Sequence, residues 1–132
     1  MKMTRINPPG VLHHPAFTRV ITLEGPTRLA FFAGQTPQAD DMSALFPGDL
    51  KAQYLFVMEK LEIQLRTVGC TWSDVIVRRL YLTNWDAWAE IRNDPDIPKY
   101  FQDMPCSTAI GVKRLGDPAW MVEVEIIAAL PE

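Results

Sequence analysis

The last apolar stretch of the chain, PAWMVEVEIIAAL, alternates with a period of two, so Val122, Val124, Ile126 and Ala128 share one face of an extended strand. That face reads as core. Glu123 and Glu125 open the opposite face, about 7 Å apart, and Ile127 and Ala129 continue it. A face that begins with two carboxylates and turns apolar either meets water or lines a pocket at a partner's edge.

The pattern upstream supplies the remaining elements. FTRVITL and RLAFFAG, β-branched and aromatic, flank EGPT and predict a β-hairpin across a Gly-Pro turn. GQTPQADDMSALFPG then reads as a polar loop. Asp49 offers an N-cap to a helix whose stripe is Leu50, Tyr54, Val57, Met58, Leu61, Leu65 and Val68, with Gly69 placed to end it. DVIVRRLYLTN predicts a strand, and Thr83 or Asn84 caps a shorter helix carrying Trp85, Trp88 and Ile91. That helix must stop before Pro95 and Pro98. CSTAIGVKRL and MVEVEIIAAL are the last two strands, joined by GDPAW. The order β-β-α-β-α-β-β predicts a single α+β domain over residues 1–132, a mixed sheet with two helices on one face. Leu29, Phe31 and Ala33 on one side of their strand and Ala30 and Phe32 on the other leave both faces apolar. Two helices cannot cover both, so a homo-oligomer packed sheet to sheet is expected.

Composition narrows the partners. Thirteen basic and 16 acidic residues give a formal charge of −3, with no basic run, so nucleic acid is not expected as a main partner. No apolar run reaches the roughly 20 residues of a membrane span, and MKMTRINPPG lacks a signal peptide's apolar segment. Cys70 and Cys106 are too distant for a CxxC pair, and the chain reads as cytoplasmic with reduced thiols. The only histidines, His13 and His14, are adjacent and point apart on an extended chain, so no metal site is expected. A loop or subunit-contact role suits them better.

Taken in order, FFAGQTP, LYLTNWDAW and MPCSTAIGVKRLGDPAWMVEVEIIA resemble the RidA/YjgF family of reactive-intermediate deaminases, from about Phe17 to Ala129. The resemblance implies a chorismate-mutase-like α+β fold and a homotrimer with active sites in clefts between subunits. It implies cofactor-free hydrolysis of enamines and imines derived from amino acids, giving 2-oxo acids and ammonia. In that pattern Glu123 falls where the family places or activates a water, a role a carboxylate can fill as general base. Glu125, one pleat further, reads as structural.

The family's active deaminases carry an Arg in Pro-Ala-Arg-Ser, whose planar fork holds a substrate carboxylate through two hydrogen bonds. Here the aligned residues are Pro105, Cys106 and Ser107, and the Arg is absent. Ser107 offers one neutral hydroxyl, which places the chain with Arg-less relatives. Lys113, Arg114 and Arg78 are basic residues able to substitute from another strand or subunit. Gly34 matches a family Gly whose backbone approaches the ligand, although a strand bulge or strand end equally favours Gly. Phe17, or Ala16 on a one-residue shift, falls where the family often has a Tyr, so an aromatic wall loses its hydroxyl. Cys106 is a candidate nucleophile, or else a small buried hydrophobe. Trp120 can also line such a site, while the spacing of Trp85 and Trp88 favours one helix face against the sheet. The expected activity is hydrolysis of a small enamine, imine or similar metabolite. The alternatives are a non-catalytic small-molecule binder or sensor on the same scaffold, and a protein-interaction trimer.

Overall fold

A computed structural model describes the whole chain, residues 1–132. Its elements are β1 (Lys2–Ile6), β2 (Val20–Glu24), β3 (Leu29–Phe31), α1 (Leu50–Thr67), a 3₁₀ turn at Trp72–Asp74, β4 (Val75–Leu82), α2 (Trp85–Ile91), β5 (Cys106–Gly111) and β6 (Val122–Ala129). No helix is long and apolar enough to cross a membrane.

The helices form where capping and stripe coincide. Asp49 Oδ1 accepts from the Ala52 amide at 3.0 Å, and Gly69 takes the left-handed φ of +74° that ends α1. Leu50, Tyr54, Val57, Met58, Leu61 and Leu65 are buried as the stripe predicts. Val68 lies beyond the last helical turn as the C-cap and stays 38% exposed, so the buried stripe stops at Leu65. Asn84, not Thr83, caps α2, accepting from the Ala87 amide at 3.0 Å.

A four-stranded sheet of order β3-β6-β4-β5 carries both helices on one face. β6 runs antiparallel to β3 and β4, whereas β4 and β5 are parallel and are joined by the crossover through α2. Val122, Val124, Ile126 and Ala128 project from β6 into the core under α1, each at most 1% exposed.

The predicted hairpin is not formed. β2 pairs with β1, from Lys2↔Glu24 to Ile6↔Val20, in a separate two-stranded sheet, while β3 joins β6. The turn chemistry is present, with Gly25 at φ +84°. The partners are set instead by long-range pairing: the Leu130 amide donates to Arg28 O and the Phe32 amide to Ile126 O, drawing the chain after the turn onto β6. β1 escapes a pattern reading because its five residues, KMTRI, are half polar and never fully buried.

One polar side chain ties the helix layer to the loops. Gln53 of α1 is wholly buried; its Nε2 donates to Leu45 O, Phe46 O and Ala119 O at 2.8–3.2 Å, and its Oε1 accepts from the Met121 amide at 2.8 Å. The loop after β3 and the entry to β6 thus hang on one amide. Gln53→Ala leaves four backbone groups without that partner, and urea unfolding should show a loss of about 2–4 kcal/mol. A loss below about 0.5 kcal/mol would show that water replaces the amide without cost.

Candidate functional site

Register sorts the site residues by face. Partners directly across a ladder share a face, so Arg78, Ser107 and Ile126 lie in one row, and Leu80, Ala109 and Val124 in the next, beneath the helices. The opposite, outer face carries the rows Tyr81, Glu123 and Ile110, then Arg79, Glu125 and Thr108, then Val77, Ile127 and Cys106.

On the outer face, Glu123 lies directly over Gly34. A Cβ built on Gly34 would overlap its carboxylate, 2.9 Å from Cδ and 3.1 Å from Cγ, so a side chain there must push the carboxylate aside. The approach is made by a bulge. Phe31 pairs with Ile127 and Gln35 bridges Val124, so four steps on one strand match three on the other. Glu123 makes no hydrogen bond or ion pair within the protomer, and burial, then the neighbouring Glu125 charge, pushes its carboxyl above the usual range. Glu125 is held quite differently: Tyr81 Oη donates to it at 2.5 Å and Arg79 Nη1 lies 3.6 Å away. That hydrogen bond in turn raises the Tyr81 phenol.

On the inner face, Arg78 and Ser107 form the floor of a cavity of about 670 Å³ between the sheet, α2 and the loop leading to β5. Arg78 is 8% exposed; its Nε donates to Ser107 Oγ at 3.0 Å, its Nη2 to Ala16 O at 3.3 Å, and its guanidinium lies 5.1 Å from the Phe101 ring centroid. It forms no ion pair within the protomer, and burial lowers its pKa from the ordinary arginine value. Phe17 closes one side of the cavity, stacked on His14 at 5.4 Å. The N-terminal arm that carries Phe17 is pinned to the start of β5, the Thr18 amide donating to Pro105 O at 3.0 Å and Thr18 Oγ1 to Met104 O at 2.5 Å.

Residues 13–130 match the family model described as Endoribonuclease L-PSP. A RutC family protein of Pyrococcus horikoshii is 30% identical over 98 residues, which span 74% of this chain and 76% of its own. Among solved structures, a Rid-family protein of unknown function, YyfB of Yersinia pestis, is similar over 98% of this chain and all of its own, with TM-score 0.75 and 27% identity. A YjgF/YER057c/UK114 family member of Mycobacterium tuberculosis is similar over 96% of this chain and 98% of its own, with TM-score 0.61 and 26% identity. The chain belongs to the RidA/YjgF family.

Within this RidA/YjgF fold the expected site residues fall into two groups, one on each face of the sheet. Glu123 and Gly34 are together on the outer face, whereas Ser107 and Phe17 line the inner cavity. Cys106 shares the outer face with Glu123 but is two strands away and four residues along, about 10 Å by about 13 Å. Its thiol donates to Arg19 O at 3.8 Å. His13 Nε2 lies 3.0 Å from Pro8 O and His14 Nδ1 accepts from the Ala16 amide, so the two rings have separate loop partners. Trp88 packs edge-on to Tyr54 with centroids 5.1 Å apart, but Trp85 is 46% exposed at the cavity and does not share that packing. Sequence patterning missed the aromatic wall of Tyr54, Tyr100 and Phe101, which is assembled from distant segments. Arg78 is one of the three basic residues able to substitute, but its burial is not legible in the sequence, because counting by twos from Leu82 puts it in the core whereas counting from Val75 turns it outward.

Gly34→Ala should drive the Glu123 carboxylate outward into water. The expected reading by carboxyl-carbon NMR titration is a Glu123 pKa that falls toward the ordinary glutamate value. An unchanged pKa would mean that the bulge, not the side chain, gives way.

Proposed function

We propose that this RidA/YjgF protein hydrolyses a small enamine or imine, with Glu123 as general base, in a homotrimer whose clefts join the outer face of one protomer to the inner cavity of its neighbour. The observation that carries the reading is the contrast between the two carboxylates of β6. Glu125 is tied to Tyr81 and Arg79, whereas Glu123 is half-buried, unpaired within the protomer and raised in pKa. A raised carboxyl nearer neutrality is a better proton acceptor when ionised.

The chemistry needs no cofactor. Glu123 takes a proton from water as the water oxygen bonds to the imine carbon and passes it to the nitrogen, giving a neutral carbinolamine. The same carboxylate then takes the hydroxyl proton and delivers it to the amino nitrogen as C=O forms and the C–N bond breaks, releasing ammonia. For a 2-imino acid the balance is R–C(=NH)–COO⁻ + H₂O → R–C(=O)–COO⁻ + NH₃.

Assembly is supported by the outer face itself, where Phe31 and Leu29 are 74% and 44% exposed beside Ile127. A protomer alone presents Glu123 and Ser107 on opposite sides of its sheet, so one cleft can contain both only with a second copy. The formal charge of −3 offers little for contact with RNA phosphates. A second reading, a non-catalytic binder or sensor, is favoured by Ser107 and Phe17, which bring neither charge nor a phenolic hydroxyl to the cavity.

The test is ammonia or 2-oxo acid release from an imine freshly generated from leucine by an amino-acid oxidase, measured above the spontaneous rate. Wild type should accelerate it. Glu123→Gln should lose about 100-fold or more with the trimer intact by light scattering. Full activity in Glu123→Gln removes the general-base role, and binding of 2-oxo acids without turnover supports the sensor.

The pH profile gives a separate check. Glu123 must be ionised to act, so kcat/KM should rise with pH through a midpoint above the usual glutamate range. Glu125→Gln removes the nearby negative charge and should move that midpoint down. A midpoint indifferent to Glu125→Gln would assign the acid limb to another group.

A further inference from the structure

Arg78 is a guanidinium buried without any counter-charge. Its partners are the Ser107 hydroxyl, the Ala16 carbonyl and the Phe101 ring, all neutral. The phenols nearby do not offset it: burial raises Tyr54, and pushes Tyr100 up to about 12, so both stay protonated at neutral pH. Asp94, the carboxylate that lines the same cavity, is engaged by Lys51 at 2.9 Å. Removing a cation from water costs far more than hydrogen bonds to neutral groups return. Ser107 and Ala16 take two of the five guanidinium N–H groups, and the Tyr54 phenol lies alongside.

The register adds position to charge. Arg78 stands directly across from Ser107 on the adjacent parallel strand, about 5 Å away, with its fork on the cavity floor. The walls above it are apolar, among them Phe17, Trp88, Ile97 and Met104, and Arg92 and Lys99 line the same cavity without ion pairs. A volume of about 670 Å³ far exceeds what a three-carbon acid fills.

We propose that Arg78 of β4 grips the substrate carboxylate in this protein, with Ser107 orienting its fork, and that the cavity selects 2-imino acids bearing a bulky apolar side chain. The proposal builds on the imine-hydrolase reading but is tested apart from it, by binding rather than turnover. The carboxylate accepts two parallel N–H bonds from the guanidinium, and the side chain displaces water from the aromatic walls. The uncharged rim of a smaller ligand would leave those walls wet.

Titration calorimetry with phenylpyruvate, its methyl ester and pyruvate tests this on the unmodified protein. Phenylpyruvate should bind at least about 30-fold more tightly than the ester and about 10-fold more tightly than pyruvate. Arg78→Met should abolish the preference for acid over ester, and Arg78→Lys should keep part of it. Equal affinity for acid and ester, no binding of any of the three, or a folded Arg78→Met variant that retains the preference would each overturn the assignment. If Arg78→Met does not fold, Arg78→Lys decides, because Arg92 and Lys99 line the same cavity: an acid preference undiminished in Arg78→Lys overturns the assignment. Tight acid-selective binding without turnover of the leucine-derived imine sinks the hydrolase reading and leaves Arg78 as the carboxylate anchor. Turnover without acid selectivity does the reverse.

Discussion

A single extra residue in β4 governs which side chains meet at the site. Val75 lies opposite Ala128 and Val77 opposite Ile127, so two steps along β4 match one along β6. Without that bulge the alternation begun at Val75 would bury Val77, Arg79 and Tyr81 and turn Arg78 and Leu80 outward. With it, Leu80 and Leu82 enter the core at 1% exposure, and Arg78 is carried in with them. The burial of two leucines is the driving force, and the desolvated guanidinium is its companion on the same face. Tyr81 and Arg79 are correspondingly placed outside, where they hold Glu125. One local irregularity therefore sets the electrostatics of both faces.

A second bulge works at the other edge of β6. The extra residue between Phe31 and Gln35 brings Gly34 against Glu123. The two carboxylates of β6 are identical in type, strand and face, yet differ in state because their cross-strand surroundings differ. Glu125 has a phenol and a guanidinium within reach, whereas Glu123 has a glycine backbone and restricted solvent. Position two residues along a pleat is enough to separate an anchored charge from an unspent one.

How much of this was legible follows from what each signal encodes. The α1 stripe and its Asp49 and Gly69 ends, and the period-two run of β6, are local statements about burial and backbone conformation, and the fold keeps them. The EGPT turn is also a local statement and Gly25 obeys it, but the choice of partner for β2 and β3 is made by β1 and β6, far away in sequence. Phe17, Ser107, Gly34 and Glu123 are candidate site residues on the family pattern, and their division between two faces depends on register. Arg78 was visible as a basic residue in VIVRRLYL, but its side depends on a bulge that alternation alone cannot place. Counting from Val75 and counting from Leu82 give opposite answers, and only the packed structure chooses.

The split of Glu123 and Arg78 between the two faces of one sheet has a genetic consequence. On the proposed intersubunit reading, each cleft takes its base from one chain and its guanidinium from the next. A chain lacking Glu123 still carries a sound Arg78, and a chain lacking Arg78 still carries a sound Glu123. Mixed in one trimer, the two would pair their sound halves in at least one cleft. Two inactive alleles of this gene would then complement each other, as two lesions in a site built within one chain cannot.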